Sequence, residues 1–348
     1  MRRFIAPLLV LPFALSTAFA QDGAASSIKI SGFGTGALTW TDTDDAQYVR
    51  ANQASGAGKH VRTGVDSNLG LQIDARINDW FSLTAQGLVH KAGEDSYGAD
   101  ATLAFAKLRV SDNLSLRAGR VGLPIFMISD YRHVGYANIM LRPPQEMYNL
   151  IPINSLDGAD ATWQQSLGDT TLTAQLAYGR TEEKAAGGNT TIVITNQRVV
   201  NVSAEHGPFT VRVSRSDAKF SAEVGDFATP KAKVSFTSAG AAMDWNNIVL
   251  QSEYGQTRGG SAPGKNAWYL MGGYRVGKFV PFYSHGRVTG GISQTTDSVG
   301  LRWDAFRSAA LKFQVDRVRP QGSGMFVNVK PGFDGPVTVG AVSVDFVF

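Results

Sequence analysis

Over residues 65–77 the chain alternates between apolar and polar side chains with a period of two. In a strand, Val65, Leu69, Leu71, Ile73, Ala75 and Ile77 would share one face, and Asp66, Asn68, Gln72, Asp74 and Arg76 the other. Similar apolar stripes recur at Leu172, Ala174, Leu176 and Tyr178, at Trp268, Leu270, Gly272 and Tyr274, and at Val299, Leu301 and Trp303. Each segment runs for about ten residues, the length of a tilted strand that crosses a bilayer. A soluble sandwich would alternate too, so the strands alone do not discriminate.

The connections do. Short turns fall at Asn78-Asp79, Asp112-Asn113, Gly168-Asp169, Gly207-Pro208, Trp245-Asn246, Gly277-Lys278 and Arg307-Ser308. Longer polar stretches lie between them, near 42–61, 91–99, 121–156, 181–197, 217–229, 257–266, 289–296 and 318–336. Short turns alternating with long loops are the layout of a transmembrane antiparallel β-barrel. Seven turns and eight loops join sixteen strands, with both termini on one side; fourteen or eighteen strands remain open. The fold class expected is all-β.

Composition sharpens this picture. Arg2 and Arg3, the apolar stretch Phe4 to Leu15 and the small-x-small Ala18-Phe19-Ala20 read as a signal peptide over 1–20. A twin-arginine signal is the rival, but its flanking pattern is missing. The barrel would then occupy 21–348, beginning at Gln21. Its 328 residues allow about 20 for each strand with its connection. No later apolar run approaches the roughly 20 residues of a membrane helix. There is no cysteine, which excludes a disulfide scaffold. The mature chain carries 31 basic and 29 acidic residues, a balance that gives no argument for nucleic acid.

The last strand ends Val342-Ser343-Val344-Asp345-Phe346-Val347-Phe348, with Val342, Val344, Phe346 and Phe348 on one face. An alternating strand closed by phenylalanine resembles the ends of outer-membrane proteins read by the barrel-assembly machinery. Ile28-Lys29-Ile30-Ser31-Gly32-Phe33-Gly34 resembles the first strand of Gram-negative porins. So does Arg117-Ala118-Gly119-Arg120, followed by a long loop and Asp157-Gly158-Ala159-Asp160. The resemblance is to general diffusion porins and, more loosely, to phosphate-selective and dicarboxylate porins. It implies a water-filled channel for small hydrophilic solutes and ions, outer-membrane lipid as surroundings, and a homotrimer. It also implies that the third loop, 121–156, folds into the lumen and narrows it. The acidic Pro-Glu-Phe-Gly-Gly type sequence usual in that loop is missing.

The third loop carries Asp130, Arg132, Arg142 and Glu146, with Pro143-Pro144 stiffening its return. Phe126, Met127, Ile128, Tyr131, Tyr136, Met140 and Met147 in it need burial. Strand parity sends Arg76, Lys107, Arg109 and Arg117 into the lumen, because a charge facing lipid at the midplane costs about 2–4 kcal/mol. The constriction is therefore expected from Arg76, Lys107, Arg109 and Arg117 on the wall against Asp130 and Glu146 on the loop. Arg120 shares the parity of Leu116 and Ala118, so it lies past the strand or follows a bulge. By parity the lumen would also hold Arg212, Lys231, Lys233, Arg275, Arg287, Arg302 and Lys312. The matching acids are Asp66, Asp74, Asp160, Glu205, Glu253, Asp304 and Asp316. Eleven bases against seven acids point to a mild anion preference.

Catalytic readings find little support. His60, His90, His133, His206 and His285 are scattered without metal spacing. Gly32-Phe33-Gly34-Thr35-Gly36-Ala37 formally matches a dinucleotide fingerprint, but a strand follows it where a helix is required. No cofactor and no catalytic residue is implied. A passive channel leads, with a substrate-selective porin second and a barrel enzyme third.

Overall fold

The computed structural model describes residues 27–91, 93, 95–260 and 263–348. The expected signal peptide over 1–20 and the expected start at Gln21 lie outside the described residues. Sixteen long strands follow one another in chain order. The first five are β1 (Ser27–Thr41), β2 (Asn68–Arg76), β3 (Phe81–Lys91), β4 (Tyr97–Arg109) and β5 (Leu114–Gly122). After a long loop come β6 (Ser155–Leu167), β7 (Thr170–Lys184), β8 (Thr191–His206), β9 (Phe209–Val224) and β10 (Ala232–Trp245). The rest are β11 (Ile248–Gly259), β12 (Asn266–Tyr274), β13 (Phe279–Thr289), β14 (Ser293–Phe306), β15 (Ala309–Gln321) and β16 (Val337–Val347). Each pairs antiparallel with the next, and a two-residue bridge at Phe227–Ala228 extends β9. The expected all-β, sixteen-stranded barrel is what the chain forms.

The sheet closes between its first and last strands. β1 pairs through Ser27–Thr35 with β2 and through Phe33–Thr41 with β16. Two further backbone bonds, Gly32 N to Phe348 O (2.9 Å) and Phe348 N to Gly32 O (3.0 Å), complete the seam. Closure leaves no open edge, which a spanning sheet requires. Glycines in β1 serve close approach: a Cβ on Gly32 or Gly34 would strike the Phe348 or Phe346 ring. The two rings stack on each other, centroids 6.4 Å apart, over the floor those glycines leave. That is the use of the sequence that mimics a nucleotide fingerprint.

The outer wall is apolar. Leu69, Leu71 and Ile73 are half-exposed on it, as are Leu176, Tyr178, Leu270, Tyr274, Val299 and Val344. Trp245, Tyr274, Phe279, Trp303 and Phe348 line the short-turn rim, and Trp40, Tyr178, Tyr254 and Trp268 stand nearer the long-loop end. Rings at both ends of an apolar band match the girdles of membrane barrels.

Three sequence expectations shift. The loops expected at 181–197, 217–229 and 289–296 are short, because β7, β8, β9, β13 and β14 continue their ladders past the apolar band. There the sequence no longer alternates: Thr181 to Lys184 is polar throughout and Ile192 to Ile194 apolar throughout, so the period that marks a strand fades. Val65 is not in β2; it is buried with Tyr48, Val318 and Phe326 where the first and last loops pack together. Lys233 and Arg287 face outward, and Lys231 precedes β10. Lys233 has the opposite parity to Phe236 and Ser238, which point inward, and Arg287 the opposite parity to Phe282 and Val288. The inner wall is apolar at these places because the third loop covers it, which inverts the usual polar-in rule.

Candidate functional site

The loop between β5 and β6 returns to its own neck, where Leu123 N donates to Asn154 O (2.9 Å). Its apolar residues cannot remain in water, and the barrel interior supplies the partner surface. Phe126 packs edge-on against Phe236 of β10 and, tilted, against Tyr148 within the loop, with centroids 5.2 and 4.8 Å apart. Met140, Met147, Tyr148 and Leu150 join Val249, Tyr269, Met271, Phe282 and Val288 in one buried cluster. A single helical turn, Gln145–Tyr148, begins after Pro143-Pro144, where proline can precede a helix without losing a needed donor.

Buried polar anchors fix the loop's path. The Arg142 guanidinium donates to Asp66 (2.9 Å) and Asp316 (2.7 Å), lies over the Tyr48 ring (5.0 Å) and reaches its hydroxyl (3.1 Å). Lys312 pairs with Asp345 (2.9 Å) and donates to Gly135 O and Met140 O. Glu253 accepts from Met127 N (2.9 Å) and from the Tyr148 hydroxyl (2.7 Å). Ser214 and Ser238 both donate to Ile125 O. Each group satisfies the other's buried charge or dipole, so the loop has one low-energy placement.

With the loop packed on β8–β16 and on β1, the inward side chains of β2–β6 border the remaining lumen. Lys107, Arg117 and Asp160 form a row across β4, β5 and β6. Arg117 grips Asp160 with two parallel bonds (2.9 and 2.5 Å) and stacks on Phe105 (5.0 Å). Asp74 accepts from Thr84 (2.6 Å) and Gln72 (2.8 Å), and Gln72 accepts from Gln86 (2.8 Å). The exposed carboxylate of Asp130 lies beside Gly122, and its charge acts on Arg117. Of the six residues expected at the constriction, Lys107 and Arg117 are cross-strand neighbours, and Asp130 lies within electrostatic reach of Arg117.

The other three lie apart. Glu146 is buried against the wall, accepting from Gln294 (2.7 Å) and Thr296 (2.5 Å), and burial raises its carboxyl above the ordinary range. A loop has no parity from which that orientation could be read. Arg76 and Arg109 sit at the short-turn end, paired with Asp79 (2.5 Å) and Asp112 (2.6 Å) three residues on. Their inward parity holds, but their height puts them at the mouth. Arg120 lies near the long-loop end of β5, paired with Asp157 (2.7 Å) without a register shift, beside Gly119 at φ 127°.

On the long-loop side of that row a cavity of about 510 Å³ opens between the first loop, the third loop and the upper halves of β2–β7. Its charges are mostly paired: Arg50 with Asp66, His90 with Asp100, Arg120 with Asp157. Buried Arg132 instead donates to Tyr148 O (2.9 Å) and stands over the Phe126 and Tyr148 rings. Burial, reinforced by Arg132 and Arg50, pushes the His133 imidazole down to about 3, which leaves it neutral at physiological pH. His90–Asp100 and His285–Asp297 are pairs the sequence did not reveal, because they join neighbouring strands. Neither pair is joined by a serine hydroxyl among the described residues.

The architecture is that of the outer-membrane porins: a closed sixteen-stranded barrel narrowed by its third loop. OmpF of Salmonella typhi, solved with daunomycin, superposes with a TM-score of 0.63 at 15% identity, over 92% of this chain and 97% of its own. The anion-selective porin of Comamonas acidovorans gives 0.60 at 14%, over 93% and 100%. OmpT, an outer-membrane protein of Vibrio cholerae, gives 0.61 at 13%, over 94% and 99%. At these identities the likeness is one of fold. No protein-family model and no curated protein matches the chain.

Proposed function

We propose that this protein is an outer-membrane porin, a permanently open channel for passive diffusion of small hydrophilic solutes. The observation that carries the reading is the third loop, held inside the barrel by buried ion pairs while the β2–β6 side stays polar. A plug would need no polar opposite wall, and a barrel enzyme would need a nucleophile beside its base. Proteoliposomes containing the protein should swell in small neutral sugars and progressively less as the sugar grows. No swelling with any sugar would refute the channel.

Ion preference is weak in this reading. Of the eleven bases assigned to the lumen by parity, Lys231, Lys233 and Arg287 lie elsewhere, and most others are neutralised. Arg117 pairs with Asp160, Arg275 with Asp244, Arg302 with Asp304 and Lys312 with Asp345. Lys107 and Arg212 remain without a bonded carboxylate, against Asp74, Asp130 and Glu205. The global count therefore loses its force, and what survives is Lys107 on the wall, set against Asp74 and Asp130, while Arg117 is held by Asp160. Reversal potentials in a salt gradient should lie close to zero; a strong preference of either sign would refute this. Trimer assembly belongs to the same proposal, supported by the trimer form solved for OmpT of Vibrio cholerae.

A further inference from the structure

Charges of opposite sign face each other across the cavity between the first and third loops. Arg50 and Arg132 line its loop side. Arg50 shares Asp66 with Arg142, so two guanidinium groups meet that carboxylate. Arg132 has no carboxylate in ion-pair contact among the described residues and donates instead to two backbone carbonyls, Tyr148 O (2.9 Å) and Ile151 O (3.5 Å). Its Nε is buried with no hydrogen-bond partner among them. Neutral carbonyls orient a buried cation but do not cancel its charge.

The strand side is acidic. Asp100 of β4, with His90 at 2.9 Å, and Glu183 of β7 both line the cavity, and the Asp100 charge acts on Glu183. Glu183 shares the inward face of β7 with buried Thr181, which donates to Ser155 O (2.9 Å). Its carboxylate accepts no side-chain hydrogen bond and joins no ion pair among the described residues. Of the cations nearby, Arg120 is held by Asp157 (2.7 Å), Lys91 by Asp95, and Lys184 has the opposite parity. Asn68, the cross-strand partner of His90, adds a buried Oδ1 with no hydrogen-bond partner among the described residues. The charges of Arg132 and Glu183 act on each other, yet no ion pair joins them. A solute carrying both signs satisfies both, because a carboxylate accepts from guanidinium N–H groups and an ammonium donates to a carboxylate. The volume of about 510 Å³ lies within the range of small-molecule sites.

We propose that this cavity binds zwitterionic solutes of amino-acid or dipeptide size, the carboxylate on Arg132 and the ammonium on Glu183 and Asp100. The inference rests on the porin reading, and binding measured at equilibrium, apart from conductance, lets either fail alone. The test is ligand-observed NMR of the detergent-purified full barrel titrated at neutral pH with glutamine and two analogues. N-acetylglutamine keeps the carboxylate without the ammonium, and γ-aminobutyramide keeps the ammonium without the carboxylate. Glutamine should bind at least fivefold more tightly than either, and less tightly as salt is raised. Glu183→Gln breaks no ion pair and should weaken glutamine at least fivefold while N-acetylglutamine binds as before or better. Arg132→Gln should weaken glutamine and N-acetylglutamine and spare γ-aminobutyramide; heat-sensitive gel mobility checks that each variant is closed. This pattern in a barrel that is silent in a planar bilayer would support the site and refute the channel. Either analogue binding as tightly as glutamine, or glutamine binding unchanged in folded Glu183→Gln, would overturn the proposal.

Discussion

Arg142 offers the sharpest test of how the third loop is held. Its side chain is 2% exposed, and both carboxylates it bridges are equally buried. Arg142→Met keeps much of the stem and removes the charge. Asp66 retains Arg50 at 3.1 Å, but Asp316 loses its only cation among the described residues and keeps a hydrogen bond from Gln314 (2.7 Å). Breaking a buried pair from one side costs about 3–5 kcal/mol, chiefly because the orphaned charge stays buried. The barrel should survive, since the closing ladder and the anchors at Glu253 and Lys312 are untouched. The loss falls on residues 138–145, which should leave the wall part of the time. Single-channel recordings should then show frequent current fluctuations, and limited proteolysis should cut within residues 138–145 without prior heating. Adding Asp316→Asn removes the orphaned charge and should quieten the current again. A quiet, protease-resistant Arg142→Met channel would refute the view that this ion triad pins the loop.

Two further outcomes follow from the seam and the constriction. Deleting Phe348 removes both Gly32–Phe348 backbone bonds and uncovers Gly32, so heat-resistant folded barrel should fall while synthesis is unchanged; equal yields on unheated gels would contradict this. Lys107→Glu turns the row Lys107, Arg117, Asp160 from net positive to net negative, which should move the reversal potential toward cations at 0.1 M salt and less at 1 M, where the Debye length is about 3 Å; an unmoved potential would place Lys107 away from the narrowest section.

The barrel was legible because lipid on one side and water on the other impose a period of two, as over 68–76. Where that contrast ends, so did legibility: Glu183 and Lys184 pair with Ile192 and Thr191 in a stretch where neither strand alternates. Arg117 and Asp160 could both be placed in the lumen by parity, but their pairing across β5 and β6 was not read from the sequence, which set Arg117 against the loop acids. Lys233 and Arg287 misled because the third loop lends β10 and β13 an apolar inner face. Glu146 misled because its carboxylate turns to Gln294 and Thr296 on the wall, a choice made by tertiary packing. Parity put Glu253 and Lys312 in the lumen, but their anchoring role, and that of Asp345, was invisible for the same reason: each needs a partner more than thirty residues away.

The most direct measurement is the current through a planar bilayer as the purified protein inserts, for the parent chain and for one shortened within residues 127–150. An open lumen narrowed by the loop predicts stepwise, ohmic conductance that scales with salt, and larger steps from the shortened chain provided it shows the same heat-sensitive mobility. Silent insertion of a correctly closed barrel, or steps unchanged by shortening the loop, would contradict the account.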